Sequence, residues 1–135
     1  MRARRSRRGG AIVEGALALT VIILMFFGLI DFGRLMFTYN SLAYAAQQAA
    51  RYASVHGSSS KTPATLNQLD SITKATMIGT LSADLTTTVT WTPNADPGSL
   101  VSVQVTCAFR PLLSAFTRIG SPLNIKSSAG MTITN

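Results

Sequence analysis

Apolar residues along this chain fall into three successive patterns. From Ala11 to Ile30 they run almost unbroken: Gly15 to Ile30 are sixteen residues without a charge, and only Thr20 among them is markedly polar. At 1.5 Å rise per residue those sixteen cover roughly 24 Å of helix, and counting from Ala11 gives roughly 30 Å, the thickness of a bilayer's hydrocarbon core. From Leu35 the spacing changes to three and four, with Leu35, Tyr39, Leu42, Ala46, Ala49 and Ala53 on one face and Asn40, Gln47, Gln48 and Arg51 largely elsewhere. One helix over 11–54, roughly 66 Å long, accommodates both patterns. After the flexible run Gly57-Ser58-Ser59-Ser60, Thr62-Pro63 supplies a cap with proline in the first turn. Leu66, Leu69, Ile72, Ala75, Ile78 and Leu81 then predict a second helix of about twenty residues.

The third pattern is alternation. Thr86 to Thr92 is rich in strand formers and is followed by the turn cluster Pro93-Asn94-Ala95-Asp96-Pro97-Gly98-Ser99. Val101, Val103, Val105, Cys107 and Phe109 then occupy every second position, so a hairpin is predicted with these residues inward. Pro111 to Phe116 reads as a connector, and Leu123, Ile125, Ala129, Met131 and Ile133 as a third strand, with a bulge near Gly130. Three strands need cover on one face, which the second helix and the far end of the first can supply. The fold class is therefore α+β: a small head on a helical stalk.

Composition narrows the chemistry. A chain of 135 residues supports one domain and an appendage. With 47% apolar and 13% charged residues, disorder over its whole length is excluded as a reading. The net charge of +7 suggests nucleic acid at first sight, yet Arg2, Arg4, Arg5, Arg7 and Arg8 precede the apolar run, and beyond them the balance falls to +2 (7 Lys+Arg against 5 Asp+Glu). A basic tail is not a basic domain, and no nucleic-acid partner is expected. One histidine, His56, and one cysteine, Cys107, leave no set for a zinc site, an intrachain disulfide or a Cys–His pair. His56 lies in a polar run without a Gly-x-Ser-x-Gly elbow elsewhere. There is no phosphate-binding glycine loop and no repeat, so the head is read as a non-enzyme without cofactor, metal or small-molecule substrate. Trp91 beside Val89 is read as core, with a partner anchor as the alternative.

Charge also orients the span. Five arginines precede it, while Arg34 and Arg51 follow it, so the amino terminus is expected in the cytoplasm and the head outside. Asp31 and Arg34, three apart, can pair across a turn as an interface anchor where the helix leaves the membrane. Glu14 is the anomaly. A carboxylate near the start of an apolar span costs on the order of 2.5–3.5 kcal/mol if it reaches the centre, so it needs either a headgroup position or a partner.

The leader, Gly9-Gly10 and Glu14 before an unbroken apolar helix resemble a type IV pilin-like precursor. The following Asp31-Phe32-Gly33-Arg34 and the stretch Leu42 to Ala53, alanine-rich and punctuated by Arg51, are similar to the TadE-like family of the tight-adherence (Flp/Tad) pilus system. That resemblance covers about residues 9 to 54. It implies a minor pilin or pseudopilin of the bacterial inner membrane, with a prepilin peptidase, other pilins and the assembly machinery as partners. It implies cleavage between Gly9 and Gly10, which makes Glu14 the fifth residue of the mature chain and the group that sets register during assembly. The expected division is 1–9 leader, 10–54 membrane and stalk helix, and 55–135 exported head. The competing expectation is an uncleaved single-pass scaffold of a secretion or pilus apparatus.

Overall fold

The computed structural model describes residues 3–77, 85–112, 114 and 122–134, with side chains from Gly9 onward. Its elements are α1 (Ala3–Val55), α2 (Leu66–Thr76), β1 (Leu85–Thr92), β2 (Leu100–Phe109) and β3 (Leu123–Thr132). This is the α+β layout expected, with one long apolar helix, a second helix and three antiparallel strands. Ile78 and Leu81, expected on α2, and Leu113, Ala115 and Phe116 of the connector lie outside the described residues.

α1 is 53 residues long, roughly 80 Å, and no proline interrupts it. Its lower half is exposed on every side, as Ile12, Leu17, Ile23, Phe26 and Leu29 illustrate. Thr20 does not break the apolar character, because its hydroxyl donates back to the Ala16 carbonyl at 2.8 Å. Toward the carboxyl end of α1 a single stripe disappears into the head. Leu42, Ala45, Ala46, Ala49, Ala50 and Ala53 are each fully buried, with Leu35 and Tyr52 packed beside them. The stripe differs from the expected one at two points: Tyr39 is exposed, and Ala45 and Ala50 join the contact. A pattern of three and four marks a face only to within about one position. Alanines let the helix approach the sheet closely, and the larger Tyr39 is turned away from it.

The sheet is a meander in the order β1-β2-β3, both pairs antiparallel. Its rows follow from strict alternation: Trp91 opposite Val101 opposite Met131, Val89 opposite Val103 opposite Ala129, and Leu85 opposite Cys107 opposite Ile125. On the central strand all five alternating positions, Val101, Val103, Val105, Cys107 and Phe109, are buried as expected. Cys107 is a buried thiol within that face. Trp91 is half-buried and packs against the core. The β2–β3 register runs from Leu100 opposite Thr132 to Phe109 opposite Leu123 without a slip, so the bulge expected near Gly130 is absent. Gly130 instead continues the ladder with its Cβ position close to the Val101 carbonyl, 3.7 Å away. Leu123, expected inward, is half exposed at the strand's open end.

α2 also begins later than expected. Thr65, not Thr62-Pro63, is its cap: the Thr65 hydroxyl accepts from the Gln68 amide and the Gln68 side chain accepts from the Thr65 amide, a reciprocal capping box. The helix is 11 residues long and closes at Thr76. Leu69, Thr73 and Met77 are buried, whereas Leu66 and Ala75 face outward. Thr73 enters an apolar contact at little cost because its hydroxyl bonds the Leu69 carbonyl at 2.8 Å.

Two sets of hydrogen bonds tie the head to α1. At the far end, Thr134 donates its amide to the Ser54 carbonyl at 2.9 Å, and Ile133 and Gly98 pair across the turn. Gly98 has φ +90°, the left-handed region that this tight loop requires. Asn94 and Asp96 order the same loop, and Ser58 reaches it through its hydroxyl on Asp96 at 2.6 Å. At the near end, the Leu112 amide donates to the Asp31 carboxylate at 2.9 Å.

Candidate membrane and assembly interface

The residues singled out by the sequence lie on one rod at three heights. Gly9 and Gly10 are consecutive, exposed positions of α1, with open space where a Cβ would project. Two adjacent glycines cost about 2 kcal/mol of helix stability relative to alanine, so this is where α1 opens most readily into an extended strand. Glu14 stands one turn above Gly10, exposed on the apolar helix. Nothing within the described head reaches it, so any partner must come from outside this chain's head or from the helix terminus.

Asp31 and Arg34 do meet. The guanidinium Nη1 lies 3.1 Å from Asp31 Oδ1, with Arg34 45% and Asp31 13% exposed at their side chains. The pair does more than the sequence indicated, because the same Asp31 oxygen accepts the Leu112 amide from 81 residues away. Arg34 also lies over the Phe109 ring, 5.4 Å from its centroid. A single carboxylate thereby joins the turn of α1 just past its apolar run to the exit of β2. No local signal marks this: Leu112 enters only through its backbone, whose recognition requires the folded head.

His56 serves the fold. Its ring stacks on Tyr52 with centroids 4.0 Å apart, and Nδ1 contacts the Tyr52 carbonyl at 2.9 Å, close to where α1 ends. Asp70 pairs with Lys74 and accepts from Thr87, linking α2 to β1. Among the described residues, no three His, Cys, Asp or Glu side chains converge as metal ligands would.

The class that these features define is an α+β head mounted on a helix that is long and apolar enough to cross a membrane. The apolar stretch of that helix is uncovered by the rest of the chain. Residues 9–51, just under a third of the chain, match the model of the family described as TadE-like protein, so its amino-terminal helix is similar to that family's. No curated protein and no solved structure matches the chain.

Proposed function

We infer that the protein is a minor pilin or pseudopilin assisting assembly of a tight-adherence pilus, a structural rather than catalytic role. The observation that carries this reading is the wholly uncovered apolar window of α1, continuous with the helix stripe on which the head is built. Such a helix first requires lipid and can then exchange lipid for the apolar helices of neighbouring subunits. With the leader arginines holding the amino terminus in the cytoplasm, the head stands on the periplasmic or outer side of the bacterial inner membrane. A prepilin peptidase cuts between Gly9 and Gly10, residues 1–9 are discarded, and the new amine at Gly10 pairs with Glu14 of an adjoining subunit. In low dielectric that pairing offsets the cost of a buried carboxylate, and a subunit out of register leaves it unpaired. The Asp31–Arg34 pair anchors the level at which the helix leaves the membrane.

Mass spectrometry of the amino terminus from membranes and from sheared pili tests the reading. Material beginning at Gly10 supports it; material retaining residues 1–9 supports an uncleaved membrane scaffold instead. Glu14→Gln should be cleaved and inserted normally yet impair pilus assembly, and normal piliation of that variant would remove the register role.

A further inference from the structure

We propose that the base of the head is a second membrane contact: Leu112, Leu123 and the exposed Arg110 sit, with Arg34, in the phospholipid headgroup layer. This rests on the reading that α1 spans the bilayer, and it concerns the head, about which the span itself says nothing.

The geometry carries it in three steps. First, the base lies at the level where α1 emerges. The apolar run ends at Ile30, and Asp31, the next residue, holds the Leu112 amide at 2.9 Å. Arg34, about 6 Å above Ile30 along the helix, lies over Phe109, which is the register partner of Leu123. A headgroup layer adds about 5–8 Å to each side of the hydrocarbon, so Asp31, Leu112, Phe109 and Leu123 fall within or at its edge.

Second, the strands run along the stalk rather than across it. From Asp31, bonded to Leu112, to Ser54, bonded to Thr134, α1 rises roughly 35 Å. The ten residues of β2 extend about 33 Å. The two lengths agree only if the β2–β3 end points down α1 toward the membrane and the Gly98 turn points away.

Third, the side chains at that end suit this layer. Leu123 is 52% exposed on a strand whose other inward positions are buried or half-buried, and Phe32 and Phe37 are 58% and 55% exposed on the adjoining turns of α1. Arg34 keeps 45% of its side chain accessible beside them, and Arg110 is exposed. Apolar and aromatic groups interleaved with guanidinium groups fit the boundary between acyl chains and phosphates. The sheet's outward face, by contrast, presents Thr86, Thr88, Thr90, Gln104 and Ser128, which suit water.

Site-directed spin labelling of the full chain in phosphatidylethanolamine/phosphatidylglycerol vesicles tests this. Cys107 is fully buried and stays in place, with the unsubstituted chain as the labelling control. Labels go at Leu123→Cys, at Lys126→Cys about 10 Å further along β3, and at Met25→Cys within the span. The expected result is a several-fold higher ratio of oxygen to nickel-chelate accessibility at position 123 than at 126, with position 25 reading as hydrocarbon. Equal, water-like ratios at 123 and 126 with position 25 in hydrocarbon overturn the proposal and leave the span intact. A water-like ratio at position 25 overturns both.

Discussion

Replacing Asp31 by alanine removes a side chain that bonds the base of the head to the turn of α1 just past its apolar run. Two terms are lost. The Leu112 amide, part-buried in the native state, loses its acceptor, and a donor left without one costs about 1–3 kcal/mol. The ion pair with Arg34, 45% exposed, is discounted for solvent to about 0.2–1 kcal/mol. The total expected for Asp31→Ala is about 1–4 kcal/mol, a large fraction of the roughly 5–15 kcal/mol by which a domain is stable. For a unit of about a hundred residues this lowers the melting temperature by on the order of 5–30 °C. Asp31→Asn retains an oxygen acceptor for Leu112 while losing the charge, so it should cost less than about 1 kcal/mol. Thermal unfolding in micelles, followed through the near-ultraviolet signal of Trp91, reads the first quantity. Hydrogen exchange at the Leu112 amide reads the local one, and protection should fall in Asp31→Ala and largely persist in Asp31→Asn. If Asp31→Ala melts within about 2 °C of the parent and Leu112 exchanges unchanged, the bond does not hold the head to the helix.

Two further substitutions probe how the head is built. Ala49→Leu adds apolar surface yet should destabilise by about 1–3 kcal/mol, because Ala49 is fully buried in the core that α1 forms with the sheet; chemical denaturation in micelles would show a lower midpoint. Gly98→Ala should cost about 1–2 kcal/mol although no atom lies within 4 Å of the new methyl, since the penalty comes from φ +90° alone; an unchanged midpoint would mean that the loop relaxes to another backbone conformation.

The patterning of the chain alone determined the order of its helices and strands. An uncharged apolar run with no helical face must be surrounded by apolar material on all sides, and the small head cannot supply that, so the lower half of α1 was legible as a helix long and apolar enough to cross a membrane. Alternation on β2 was equally legible, since period two leaves one set of side chains for the core, and the turn residues between Pro93 and Ser99 placed the hairpin. The spacing of Gly9, Gly10 and Glu14, and the pairing of Asp31 with Arg34, are local in the chain and could be read from it.

Other features were decided only when the elements packed. Whether Tyr39 or Ala45 faces the sheet depends on the angle at which α1 meets it, which a stripe one position wide on a 3.6-residue helix does not define. The start of α2 at Thr65 instead of Thr62-Pro63 depends on a reciprocal bond with Gln68, which forms only where the helix actually begins. Leu123 belongs by parity to the inward face and is nonetheless 52% exposed, which alternation along the strand does not reveal. The second role of Asp31 was the least accessible of all: its partner is a backbone amide 81 residues away, and every residue but proline has one, so no side-chain pattern distinguishes Leu112 until the sheet brings it to the foot of the stalk.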